Sequence, residues 1–90
     1  MSEASDEELF DFPCEFPIKA MGRADSDFPD QVWAIVARHA PDTDPGQLRT
    51  AASRNGSFLS VTVTIEARNR AQLDAIYREL HSHERVLMTL

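Results

Sequence analysis

Cysteine is nearly missing from this chain: Cys14 stands alone, so no internal disulfide can staple the fold. A reactive role for that thiol would need a His or Lys beside it. Its neighbours Phe12, Pro13, Glu15 and Phe16 supply only a carboxylate. Long apolar runs are missing as well. None approaches the roughly 18–20 residues of a membrane span, which excludes a helical transmembrane chain. The N-terminus carries no basic stretch followed by an apolar one, so no secretory signal is expected and the expected compartment is the cytoplasm. Glycine-rich phosphate loops, paired-cysteine metal sites and an H-E-x-x-H helix are all lacking. The expectation is therefore a non-enzyme with no cofactor, no metal and no catalytic residues. The few histidines fit that expectation. His81 and His83 stand two apart near a helix end, where they point different ways, and His39 closes a helix of its own.

Basic residues are few, nine against fifteen acids, but the imbalance is local. Residues 1–14 hold Glu3, Asp6, Glu7, Glu8 and Asp11 and no base, leaving ten acids against nine bases beyond them. The body is thus nearly neutral and the first 14 residues form an acidic tail, expected to be solvated and poorly ordered. Leu9, Phe10 and Phe12 give that tail apolar anchors, either for a basic partner or for the parent domain. Residues 15–90 are expected to form one domain, small enough that its core is marginal.

The most specific pattern lies in 47–67, where two alternating runs flank Asn55-Gly56. That dipeptide between alternating segments predicts a hairpin with a type I′ turn, in which both central residues take positive φ. The turn also sets the pairing: Arg54 opposite Ser57, Ala52 opposite Leu59, Thr50 opposite Val61, Leu48 opposite Val63. Upstream, 15–23 reads as a strand with Phe16, Ile18 and Ala20 on one side and Lys19 and Met21 on the other, weakened at its start by Pro17. A helix is expected from Asp27 or Phe28, with Pro29 in its first turn and Phe28, Val32, Ile35, Val36 and His39 at helical spacing on one stripe, stopping before Pro41. Asn69 with Gln72 predicts a capping box for a second helix whose stripe is Leu73, Ile76, Tyr77 and Leu80. A closing strand over 85–90 is expected to place Val86, Met88 and Leu90 together, opposite Leu87 and Thr89.

The resulting βαββαβ order, with right-handed crossovers, predicts an α+β ferredoxin-like domain. Its four-stranded antiparallel sheet has the order 4-1-3-2, with both helices on one face. The expected core is Phe16, Ile18, Val32, Ile35, Val36, Leu48, Leu59, Val61, Val63, Ile65, Leu73, Ile76, Leu80, Val86 and Met88. With so small a core, homodimerisation through an edge or the open face would be a natural supplement.

From Phe12 to the end the chain resembles the YbeD-like family of small bacterial proteins. The likeness rests on Phe12-Pro13, Phe16-Pro17-Ile18-Lys19, Met21-Gly22, His39-Ala40-Pro41 and Ser53 with Gly56. It continues through Leu59-Ser60-Val61-Thr62, the stretch QLDAIYREL from Gln72 to Leu80, and Val86-Leu87-Met88 with Leu90. Ala20 and Phe58 depart from it, where a larger aliphatic and a tyrosine are usual. The resemblance implies a ferredoxin-like fold similar to ACT-type regulatory modules, which bind small effectors at the first strand-to-helix loop.

Two functional readings follow. In the first, a small-molecule effector binds at 21–27, with Gly22 allowing close backbone approach, Arg23 adding charge, and Asp25 and Asp27 lining the site while opposing an anion. In the second, Met21, Phe58 and Leu87 on the open sheet face, or the acidic tail, dock a protein partner. RNA binding is not expected. The two central strands offer only Phe58 for stacking, and the tail would repel phosphate. Acylphosphatase chemistry is not expected, because Met21-Gly22-Arg23-Ala24 does not reproduce the glycine-rich, phosphate-cradling loop of those enzymes.

Overall fold

The computed structural model describes residues 11–90. Most of the acidic tail, including its anchors Leu9 and Phe10, lies outside the described residues. Phe12 packs on the edge of the core. The elements run β1 (Cys14–Arg23), α1 (Phe28–His39), a short 3₁₀ turn (Pro45–Gln47), β2 (Leu48–Ala52), β3 (Phe58–Ala67), α2 (Arg70–Ser82) and β4 (Met88–Thr89). The four strands form one antiparallel sheet in the order β2-β3-β1-β4. This is the ferredoxin-like arrangement expected from the element order.

The hairpin register is the one the alternation dictates, with Leu48 against Val63, Thr50 against Val61 and Ala52 against Leu59. The turn itself differs from type I′. Gly56 alone has positive φ, at 78°, and its N–H donates to Ser53 O at 2.9 Å. Asn55 contributes through its side chain instead: Oδ1 accepts from the Ser57 N–H and from Ser53 Oγ, both at 3.1 Å. One left-handed residue suffices because the asparagine carboxamide closes the other half of the loop.

β1 sits at the centre of the sheet and tolerates Pro17 for a reason of parity. The carbonyls of Lys19 and Met21 accept from the Leu90 and Leu87 N–H groups, so odd residues of β1 direct their backbone toward β4. Pro17 shares that parity and lies outside the stretch of β1 that β4 pairs. Its missing N–H therefore costs no ladder bond.

α1 begins with Pro29 in its first turn and Asp30 at the positive end, and carries Arg38 and His39 at the negative end. α2 is fixed by one residue acting three ways. Gln72 N–H donates to Asn69 Oδ1 (2.9 Å), Gln72 Oε1 accepts from Arg68 N–H (2.7 Å), and Gln72 Nε2 donates to His39 O (2.9 Å). The third contact ties the start of α2 to the end of α1. Glu79 completes the clamp, accepting from Arg38 and pairing with His39 Nε2 at 2.8 Å.

Both helices cover one face, enclosing Ile18, Ala20, Phe28, Val32, Ile35, Val36, Val61, Val63, Ile65, Leu73, Ile76 and Leu80. Phe16, Leu48, Leu59, Tyr77 and Val86 pack at the margin of that cluster. Met88 is a correction: expected in the core, it is half exposed. It pairs with Met21, so it lies on the open face, whereas Thr89 pairs with Ala20 and is reached by His81 at 2.8 Å. The cause is a break in alternation. Leu87 N–H donates to Met21 O although Met88 is the Cα partner of Met21, so two residues oppose one. Only Met88–Thr89 of the expected 85–90 strand pairs regularly, and Val86 and Met88 end on opposite faces.

Candidate functional site

Two places gather the residues that sequence reasoning singled out. The first is the corner where β1 passes into α1. Arg85, from the connection between α2 and β4, spans it. Its Nη2 donates to Asp27 Oδ1 (2.7 Å) and Asp25 Oδ2 (2.9 Å), and its Nη1 donates to Asp27 Oδ2 (3.0 Å). The two-pronged contact with Asp27 holds that carboxyl below its usual range and raises the guanidinium above its own. Asp27 stands at the N-cap of α1 yet does not cap it with its side chain, which is taken by Arg85 and by Gln31 at 3.1 Å.

Gly22 occupies this corner for a different reason from ligand access. An added Cβ would meet the Arg85 carbonyl oxygen at 2.5 Å and the Phe28 ring at 2.6 Å. The bare α-carbon is what lets the Phe28 ring and the Arg85 backbone close over the strand. Arg23, next along, has its guanidinium 5.9 Å from the Phe58 ring centre. A hollow of about 270 Å³ remains beside the corner, lined by Arg23, Asp25, Glu84, Arg85 and Leu87. Gly22, Arg23, Asp25 and Asp27 are thus neighbours, but the two acids are already paired.

The second place is the open face of the sheet. Cross-strand pairing aligns Ala51, Ser60, Met21 and Met88 in one row across all four strands. Phe58 lies beside it toward the hairpin turn, and Met21, Ala51, Ala52, Ser53, Phe58 and Ser60 line a hollow of about 220 Å³. The next rows carry cations: Arg23 beside Phe58 on one side, Lys19 and Arg49 flanking Thr62 on the other. The far end is acidic, with Glu15 opposite Glu66. Met21 and Phe58 therefore share a surface as expected. Leu87, 55% exposed, instead lines the Arg85 hollow, and Met88 takes the fourth position in the row.

Arg85 and Met88 are the residues that sequence reasoning missed. Asp25, Asp27 and Asp30 crowd a single corner with only Arg23 near in sequence, and that surplus was the available signal for a distant countercharge. Among the described residues no group of three or more His, Cys, Asp or Glu is placed to hold a metal ion. No described helix is long and apolar enough to cross a membrane.

Fold and surface together define a small ferredoxin-like domain with a roofed apolar side and a mixed cationic and apolar open side. The chain belongs to the family described as "Protein of unknown function (DUF493)", whose model matches residues 7–90. It is similar to bacterial UPF0250 proteins: 46% identical to UPF0250 protein NE1487 of Nitrosomonas europaea, covering 96% of this chain and 99% of that one. A UPF0250 protein of Azotobacter vinelandii is 49% identical, with 89% and 88% covered. One from Neisseria gonorrhoeae is 43% identical, with 91% and 90% covered. The YbeD-like designation drawn from the residue pattern is corrected accordingly, because the family model and these relatives carry the DUF493 and UPF0250 designations.

Proposed function

We propose that the chain is a non-enzymatic interaction module whose open sheet face docks an acidic peptide segment bearing apolar side chains. The observation that carries this reading is the row Ala51–Ser60–Met21–Met88, which crosses the whole sheet with Phe58 beside it and Arg23, Lys19 and Arg49 around it. Apolar groups at the centre of a patch with charge at its rim suit a peptide whose own acids meet the cations while its side chains enter the hollow. A single aromatic, Phe58, makes no stacking platform for nucleic-acid bases. The test is capture of partners from a bacterial host lysate with the wild-type chain and with Met21→Glu. Partners should be retained by the first, lost by the second and released by salt. Partners held equally by Met21→Glu would dismiss the face.

A second reading is favoured by one feature of the β1–α1 corner. Arg23 and Arg85 both line the hollow of about 270 Å³ there, so a small carboxylate effector would meet two guanidinium groups, in the manner of ACT-type modules. It would have to compete with Asp25 and Asp27 for Arg85. Titration with amino acids and other small carboxylates, followed by amide shifts over 22–30, separates the readings. Silence there across the set leaves the interaction module.

A further inference from the structure

The sheet has two edges and they are built differently. At the β4 edge only Met88–Thr89 pairs with β1, and beyond it the exposed backbone of β1 presents Glu15 and Pro17, the latter with no N–H to give. At the β2 edge five residues run without proline or bulge. Ser53 N–H donates to Phe58 O at 2.8 Å, so odd residues of β2 direct their backbone to β3, and Leu48, Thr50 and Ala52 direct theirs outward. Arg49 Nη1 covers the Leu48 carbonyl at 3.2 Å. Among the described residues nothing covers the outward N–H and C=O groups of Thr50 and Ala52. The helices rest on β1 and β3, so the side chains of Thr50 and Ala52 stay exposed although they lie on the helix-bearing side.

We infer that this edge pairs with the same edge of a second copy of the chain, antiparallel about a two-fold axis at Thr50, making one continuous eight-stranded sheet. The register follows from charge and length. With Thr50 opposite the partner's Thr50, the strand Leu48–Ala52 overlaps along its whole length and makes about four backbone hydrogen bonds, the Leu48 N–H being held by Pro45 O of its own chain. In that register Arg49 faces the partner's Ala51. A slip of two in one direction would set Arg49 against the partner's Arg49, two like charges directly opposed. A slip of two in the other direction shortens the overlap. Open-ended pairing of β2 with the free part of another copy's β1 is blocked by Pro17, which leaves the closed, symmetric arrangement. Arg49 gives up the Leu48 carbonyl to the incoming Ala52 N–H on association. This dimer does not depend on the proposed docking face, which stays open on one side of the enlarged sheet.

Sedimentation or light-scattering mass over a concentration series tests it. The wild-type chain should pass from monomer to dimer. Thr50→Pro, which removes an outward N–H and leaves the ladder to β3 intact, should weaken association at least tenfold. Thr50→Lys and Thr50→Glu should each be monomeric alone and form a heterodimer when mixed, because position 50 faces itself across the axis. Met21→Glu, on the open face, should leave the mass unchanged. A wild-type chain that stays monomeric throughout overturns the inference. So does a dimer indifferent to Thr50→Pro, or a Lys and Glu pair that are folded by amide spectra and fail to associate.

Discussion

The two edges of this sheet solve the same problem in opposite ways. The β4 edge is short, interrupted at Leu87–Met88, and clasped from outside by Arg85 across Asp25 and Asp27. The β2 edge is regular and five residues long, and among the described residues it is shielded at Leu48 alone, by Arg49 on the carbonyl and by Pro45 O on the N–H. At one edge the chain pins its last strand through side chains and close packing, and the ladder there is minimal. At the other the ladder to β3 is complete and the outward side is left bare. Rigidity gathers where β1, α1 and the approach to β4 meet, and the capacity for pairing gathers at the opposite side.

The largest expected effect strikes the pinned edge. Phe28 is almost wholly buried and its ring lies against Gly22. Phe28→Ala should cost about 3–5 kcal/mol of unfolding free energy, measured by denaturant titration, because it empties the corner that Arg85 closes. Gly22→Ala comes next at about 1–3 kcal/mol. One of its two contacts is the Arg85 carbonyl oxygen at 2.5 Å, backbone that cannot rotate aside, so the connection carrying Arg85 must shift as well as the Phe28 ring. If Gly22→Ala is neutral while Phe28→Ala is severe, the corner is held by the ring alone and the clasp adds nothing.

These residues also mark where the sequence was legible. The hairpin register was readable in full because Asn55-Gly56 and strict alternation specify it independently, and a slip of one would bury polar side chains. The helices were readable from Pro29, Pro41, Asn69 and Gln72, whose local chemistry starts or stops a helix whatever surrounds it. The end of the chain was not. Val86, Leu87 and Met88 are all apolar, so nothing in the pattern chooses a face, and the extra residue opposite Met21 decided it. Arg85 was invisible as a partner of Asp25 and Asp27 because 60 and 58 residues separate them and only the closed fold brings them together. Gly22 was legible as necessary but not as to why. A glycine that admits a ligand and one that admits a phenylalanine ring look alike in sequence.

At the bare edge the expected effects shrink. Thr50→Pro should change the stability of the dilute monomer by less than about 1 kcal/mol, since its N–H points to solvent. Ala51→Pro, whose N–H feeds β3, should cost about 1 kcal/mol more for the lost ladder bond. Equal costs at the two positions would mean that the assigned parity of β2 is wrong. The inferred dimer would lose its register with it.

The smallest effect sharpens the clasp itself and is read against pH. Asp27 has its carboxyl lowered from 3.8, chiefly by the hydrogen bonds from Arg85, with partial opposition from desolvation. A folded value below the unfolded one means that the stabilisation is present above the unfolded value and disappears as pH falls through the folded one. Asp27→Asn should therefore be slightly less stable than wild type at neutral pH, with the gap closing below pH 3.8 as the wild-type carboxyl takes up its proton. The difference is modest because the pair is open to solvent and screened by salt. The neutral amide also remains free to accept from the first turn of α1, which Asp27 does not cap. Stability curves of the two chains that run parallel from neutral to acid would show that Arg85 holds this corner through its backbone and the Phe28 packing, with no contribution from its charge.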